Sequence, residues 1–193
     1  MNNLTLLIPA KNESESLPKV LEEIKNLNCK KKIILKKDDT LTINSIKNFD
    51  VDLIYQNNSG YGDALITGVN NLDTNYFCIF NADGSFNPNE LPEMLNIVKN
   101  SNTDFVFASR YEKNCGTEDD TIITAIGNFA FTLIGKIFFK LNITDILYTF
   151  VMGDTQKIKE LKLKQNDFTF CVELPIKAKK NGMRLTTSKS YER

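Results

Sequence analysis

The residues best suited to chemistry sit directly after short apolar runs. Pro9-Ala10-Lys11-Asn12-Glu13 follows one run and Lys36-Lys37-Asp38-Asp39-Thr40 a second. Asn57-Asn58-Ser59-Gly60-Tyr61-Gly62-Asp63 follows a third, and Asn81-Ala82-Asp83-Gly84-Ser85 a fourth. Any one of them alone is an ordinary turn composition. Together they are what the carboxyl edge of an open α/β sheet needs to hold a ligand. The fourth carries the most. Asp83, with Gly84 behind it, can put a carboxylate on a divalent cation. Mg2+ or Mn2+ takes oxygen ligands and binds through one or two carboxylates plus substrate phosphates. Such an ion stabilises a departing diphosphate.

Composition removes other chemistries. The 193 residues include no His, so there is no Ser-His-Asp triad, no Cys-His dyad and no histidine-ligated zinc. With 24 basic and 24 acidic residues the chain has no net charge, and no nucleic-acid partner is expected. The charge is uneven. From position 157 onward ten basic residues face four acidic ones, which suits a phosphate-bearing ligand or, equally, a solvated lysine-rich surface. Cys29, Cys78, Cys115 and Cys171 form no CxxC clip and are expected to be reduced. Met1-Asn2-Asn3 leads into no basic stretch or long apolar run, so no signal peptide is expected and a cytoplasmic location follows.

The elements that must position these loops alternate. Residues 4–8, 32–35, 51–55, 76–80 and 104–108 read as strands, the fourth apolar enough to be central. Residues 42–49, 63–71 and 88–99 read as helices, and Ser14 as the cap of another carrying Leu17, Val20, Leu21 and Ile24. This alternation implies right-handed crossovers and a mostly parallel sheet flanked by helices, in one domain spanning 1–193. Residues 124–143 form the most apolar stretch. Asn128, Thr132, Lys136 and Lys140 recur there every four residues as a polar stripe. Two lysines argue against a transmembrane span; a core helix is expected, with a membrane-surface helix as the alternative.

The motifs Leu-Ile-Pro-Ala-Lys-Asn-Glu, Gly-Tyr-Gly-Asp-Ala-Leu, Asn-Ala-Asp-Gly-Ser-Phe-Asn-Pro and Ala-Ser-Arg-Tyr, in that order, resemble the family 2 glycosyltransferases. Within that family they look most like the dolichyl- or polyprenyl-phosphate sugar synthases. The resemblance implies a GT-A fold, a Rossmann-like nucleotide-binding sheet, and an inverting enzyme. It also implies a nucleotide-sugar donor (UDP- or GDP-linked), a Mg or Mn cation, and a polyprenyl-phosphate or glycan acceptor. Cell-envelope polysaccharide or glycolipid synthesis, with peripheral contact at the cytoplasmic face of the membrane, would follow. Pro9, Ala10, Asn12 and Glu13 match the motif lining the nucleotide pocket. Asp39 (or Asp38) falls where an acidic residue reads the base. Gly62, Ala64 and Gly68 match the motif beneath the nucleotide. Asn81, Ala82 and Asp83 occupy the metal motif, with Asp83 as ligand. Arg110 matches an arginine facing the acceptor. Glu173 matches an acidic residue on a late helix and is the candidate base, should the acceptor be a hydroxyl. Arg193 ends a tyrosine-x-arginine segment after which family members continue, so the chain is expected to be short relative to them.

The sequence departs from the pattern in places. Asn81 replaces the first carboxylate of the metal motif, keeping an oxygen without the charge. Weak catalysis, or sugar-nucleotide binding without it, is the alternative this suggests. Glu118-Asp119-Asp120 stands where the polyprenyl-phosphate branch has basic residues, and the glycine-phenylalanine-arginine motif near Asp145 is absent. Thr117-Glu118-Asp119 comes too soon after Asp83 for a catalytic base and reads as a surface turn. A dinucleotide dehydrogenase is excluded by the lack of GxGxxG after the first strand. A nucleotidyltransferase would need a glycine- and arginine-rich loop there.

Overall fold

The computed structural model describes the backbone of residues 1–111, 116–117 and 122–193, with side chains at all of these except 116, 117, 122–127 and 129. The strands are β1 (Leu4–Pro9), β2 (Lys30–Leu35), β3 (Asp52–Tyr55), β4 (Tyr76–Ile79), β5 (Phe105–Ser109), β6 (Gly116–Thr117), β7 (Val151–Asp154), β8 (Leu185–Lys189) and β9 (Tyr191–Glu192). The helices are α1 (Leu17–Glu23), α2 (Thr40–Ser45), α3 (Tyr61–Asn70), α4 (Leu91–Asn100), α5 (Ile122–Phe139), α6 (Thr155–Glu160) and α7 (Phe170–Lys180). Seven strands form one sheet in the order β3-β2-β1-β4-β7-β5-β8, with β7 antiparallel to both neighbours and the other pairings parallel. The expected mostly parallel sheet is therefore found, with β4 at its centre. β6 and β9 form a separate two-stranded pair.

The inner parallel strands β1, β2, β4 and β5 are largely apolar runs because both their faces are covered. Leu4, Leu6, Leu7 and Ile8 are fully buried, as are Phe77, Cys78 and Ile79. One core layer gathers Leu6, Ile8, Leu17, Cys78, Phe80 and Val106. The layer on the other face gathers Leu7, Ile34, Leu65, Phe77, Phe107 and Phe170. At Gly68 an added Cβ would stand 3.1 Å from side-chain carbons of Ile34 and Leu7. The absent side chain thus lets α3 lie close on the sheet.

Two expectations are corrected. Ser14 does not cap α1; Ser16 holds the cap position and uses its hydroxyl on the Glu13 carboxylate instead. The polar stripe of α5 faces inward over part of its length, and the apolar side faces out. Asn128 and Thr132 are buried, whereas Phe131, Leu133, Ile134, Ile137 and Phe138 are exposed. The cause is a buried acid. Asn128 Nδ2 donates to Asp145 Oδ1 at 2.8 Å, and Asn128 Oδ1 accepts from the Leu147 N–H at 3.2 Å. Buried polar groups must be paired, and this requirement outranks the helix's apolar majority. Lys140 lies beyond the helix end, with φ of 52°. No helix among the described residues is long and apolar enough to cross a membrane.

Candidate functional site

The carboxyl edge of the sheet brings the predicted loops together. After β1, Ala10 N–H donates to Ile34 O of the neighbouring strand at 2.9 Å, so Pro9 and Ala10 run on in register with β2. The chain then turns at Asn12, which has φ of 60°, a left-handed value that Asn tolerates. Asp39 closes the turn. Its Oδ2 accepts from Asn12 N–H at 2.8 Å and its Oδ1 from Thr42 N–H at 3.3 Å, capping α2 as well. Glu13 N–H donates to Thr42 Oγ1 at 3.0 Å. Asp39 and the Asn12–Glu13 turn are thus brought together.

The start of α3 is held under another segment. An added Cβ at Gly60 would lie 2.0 Å from Asn166 O, and one at Gly62 would lie 2.1 Å from Gln165 O. Only glycine admits so close a backbone approach, and Gly60 also has φ of 120°. Asp63 in the first turn of α3 is buried and accepts from Asn58 Nδ2 at 3.0 Å and from Gln56 Nε2 at 3.3 Å. Tyr61 stacks on Phe168 with 5.1 Å between ring centres. Its hydroxyl shares a 2.7 Å hydrogen bond with Thr149 and reaches Asn81 Oδ1 at 3.5 Å. Burial pushes the Tyr61 pKa well up, so it serves as a neutral hydroxyl. Tyr61 ties α3 to the loop after β4, a link that residue spacing does not reveal.

That loop presents Asp83 to solvent while Ala82 is buried beneath it. Asp83 Oδ1 accepts from the Ser85 N–H at 2.9 Å and the Ser85 hydroxyl at 2.6 Å. Among the described residues no hydrogen bond reaches Oδ2. Asn81 Nδ2 lies 3.4 Å from Ser85 Oγ. No group of three or more His, Cys, Asp or Glu side chains that could hold a metal is found among the described residues. A single carboxylate with a nearby amide oxygen still fits a Mg2+ or Mn2+ that draws its remaining ligands from phosphates and water.

Arg110 follows β5 and is nine-tenths covered, with 12% of its side chain exposed. Its Nε and Nη2 reach the fully buried Asp145 carboxylate at 2.7 and 3.1 Å, and its Nη1 reaches Glu192 at 2.8 Å. Its guanidinium carbon lies 4.6 Å from the centre of the Tyr148 ring. Burial opposes the charge, but Asp145 and Glu192 outweigh it and raise the Arg110 pKa. The motif resemblance marks Arg110; nothing in the sequence marks Asp145, Tyr148 or Glu192 as its partners. A cavity of about 230 Å3 beside it is lined by Tyr111, Asn128, Thr132, Leu133, Lys136 and Thr144. A larger cavity, about 260 Å3, lies between α3 and α6 and contains none of the predicted site residues.

Glu173 stands apart from the Asp83 loop in its bonding. Its carboxylate accepts from the N–H groups of Lys164 and Gln165 at 2.8–3.0 Å and pairs with Lys177 at 2.7 Å. Burial alone would raise its pKa, but Lys177 and the two N–H donors hold it below the usual carboxylate range. It anchors the segment that packs over Gly60 and Gly62. Cys29, Cys78 and Cys171 are free thiols, while Cys115, Glu118, Asp119 and Asp120 lie outside the described residues.

Comparisons with known proteins agree on the fold. A curated UDP-N-acetylglucosamine--dolichyl-phosphate N-acetylglucosaminyltransferase of Methanococcus voltae is 24% identical over 207 residues, covering 93% of this chain and 81% of that protein. Glucosyl-3-phosphoglycerate synthase of Mycobacterium tuberculosis, solved with Mn2+, UDP and glucosyl-3-phosphoglycerate, superposes with a TM-score of 0.77 at 11% identity. The match covers 98% of this chain and 70% of that one. Mannosyl-3-phosphoglycerate synthase of Rubrobacter xylanophilus gives 0.76 at 14% identity, over 99% of this chain and 66% of that one. These likenesses establish a GT-A sheet. The model of Glycosyl transferase family 2 matches residues 5–162, and with the loops arranged as above, the chain belongs to that family and is a glycosyltransferase.

Proposed function

We propose that the chain moves a sugar from a nucleotide-sugar donor to an anionic, phosphate-bearing acceptor, with inversion at the anomeric carbon. The observation that carries this reading is that the loops after the parallel strands β1, β2 and β4 leave the same sheet edge, the Asn12 turn bonded to Asp39 and Tyr61 to Asn81, with an open carboxylate oxygen on Asp83. Pro9, Ala10, Asn12, Glu13, Asp39 and Gly62 form the nucleotide side; Asn81, Ala82 and Asp83 form the diphosphate side. Asp83 would hold the Mg2+ or Mn2+, and Asn81 would lend its amide oxygen. When bound, the cation neutralises charge on the departing diphosphate.

Glu173 supports the choice of acceptor. A base works best with a pKa near the working pH, and the Glu173 pKa is displaced the other way. An acceptor that is already an anion needs little base. We therefore assign Glu173 to positioning the segment 164–167. The M. voltae relative, named for a dolichyl-phosphate acceptor, points the same way. The cavity beside Arg110 would offer such an acceptor Lys136 at its rim and apolar walls for a chain. The exposed apolar face of α5 continues from it and would rest at a membrane interface. Location at the cytoplasmic face and a role in cell-envelope glycolipid or polysaccharide synthesis accord with this reading.

The test is turnover: UDP-N-acetylglucosamine, other UDP-sugars and GDP-sugars offered with Mn2+ and polyprenyl phosphate, with labelled sugar followed into the organic phase. Metal-dependent transfer is expected from one donor. The second reading, sugar-nucleotide binding without transfer, is favoured by the amide at Asn81. It predicts donor binding with no labelled lipid under any condition.

A further inference from the structure

We propose that Glu23 is a positioning residue for the Asp83 loop, acting through Arg193. The inference rests on the reading that Asp83 holds the metal. Arg193 lies directly across that loop. Its Nη2 donates to Gly84 O at 3.1 Å and to Phe86 O at 2.9 Å, and its backbone N–H donates to Ser85 O at 3.0 Å. Three successive carbonyls are thus held by one residue. Gly84, the first of the three, has φ of 88°, a left-handed value that glycine reaches without strain. The Ser85 N–H and hydroxyl in turn hold Asp83 Oδ1.

Glu23 fixes the guanidinium. Its two oxygens accept from Arg193 Nη1 and Nη2 at 2.7 and 3.0 Å, a fork-to-fork geometry that sets orientation as well as distance. The pair is more than a third exposed on both sides, so its worth to global stability is small. Glu23 also ends α1, where a helix disfavours an acid. Helix stability does not account for it there; orienting Arg193 does. The next residue back, Glu192, grips Arg110 at 2.8 Å. The 190–193 segment therefore joins the Asp83 loop to the Arg110–Asp145 cluster, and Glu23 secures its end.

Two readouts test this on the intact chain. Hydrogen exchange at the Ser85 amide, measured without metal, reports how firmly Asp83 is held. Mn2+ affinity, titrated by electron paramagnetic resonance, reports the consequence. Glu23→Gln should speed Ser85 exchange and weaken Mn2+ binding by about five-fold each, the equivalent of one half-exposed ion pair. Its melting temperature without metal should stay within about 2 °C of the parent. The swapped pair, Glu23→Arg with Arg193→Glu, restores an ion pair but removes the donors to Gly84 and Phe86, and should not restore Mn2+ affinity. Unchanged Ser85 exchange in Glu23→Gln, or recovery of affinity in the swap, would overturn the inference. Absence of Mn2+ binding by the parent chain, with Ser85 exchange still sped by Glu23→Gln, would instead overturn the metal reading and leave the positioning role standing.

Discussion

At position 81 an amide stands one residue away from the buried Ala82, and its Oδ1 already lies within reach of the Tyr61 hydroxyl. Replacing it by a carboxylate changes charge and hardly changes shape. Asn81→Asp should tighten Mn2+ binding about ten-fold, because a second anionic oxygen suits a hard cation. Calorimetry showing equal or weaker binding would mean that Asn81 does not face the ion. The sequence singles out Asp83 because it follows the most apolar, central strand and sits in the stretch that resembles the family's metal motif. It does not single out the Arg110 partners. Asp145 and Glu192 lie 35 and 82 positions away from it, and only the fold makes them neighbours. The family resemblance marks Glu173 by its place on a late helix. Its true surroundings, two N–H donors and a lysine, come from a turn whose shape no pattern encodes.

At the scale of elements, β1, β2, β4 and β5 were readable because a strand covered on both faces reads as a near-continuous apolar run, and the exposed edge strand β3 because residues 51–55 are rich in β-branched and aromatic types. β7 and β8 escaped. Val151–Asp154 is only four residues long and includes Gly153, while Leu185–Lys189 is largely polar at a sheet edge. The orientation of α5 was missed for a different reason: periodicity gives the stripe but not which side the protein needs inside. The α3 start yields a direct test. Gly62→Ala would drive a Cβ into the Gln165 carbonyl, backbone that cannot simply rotate away. A loss of about 1–3 kcal/mol is expected from such overpacking, together with weaker nucleotide binding; a neutral melt would mean that segment 165–167 moves freely. Glu90 gives a second test. Its Oε1 accepts from Tyr191 N–H at 3.0 Å, while its Oε2 is buried without a partner among the described residues. Burial pushes its pKa up, so the folded state favours the protonated form and is penalised at neutral pH. Glu90→Gln should therefore raise the melting temperature at pH 7 by about 1–3 °C. The gain should fade toward pH 4, where the parent takes up the proton; a gain independent of pH would rule out this cause.

At the scale of the whole molecule, zero net charge hides a polar division. The segment from position 157 carries an excess of six basic charges, balanced by the rest. Lys180 lies 5.3 Å from the centre of the Phe139 ring, so basic α7 borders the outward apolar face of α5. Ile137 and Phe138 on that face are 63% and 73% exposed. Such a surface should bind anionic vesicles weakly at low salt. Lys136→Glu with Lys140→Glu should reduce flotation, and Ile137→Ser with Phe138→Ser should abolish it. Unaltered flotation in both pairs would place the contact elsewhere.

If the edge built around Asp83 binds a nucleotide sugar with a divalent cation, the thermal stability of the parent chain and of Asp83→Asn, with UDP- and GDP-sugars and with and without Mn2+, should show it. A ligand held only by the folded state raises the melting temperature. Asp83 is exposed and packs against little, so the two chains should melt alike when no ligand is present. A Mn2+-dependent rise with one nucleotide sugar is expected in the parent, and its loss in Asp83→Asn. No rise with any nucleotide sugar in the parent, or the same Mn2+-dependent rise in both chains, would rule out a nucleotide-sugar site at Asp83.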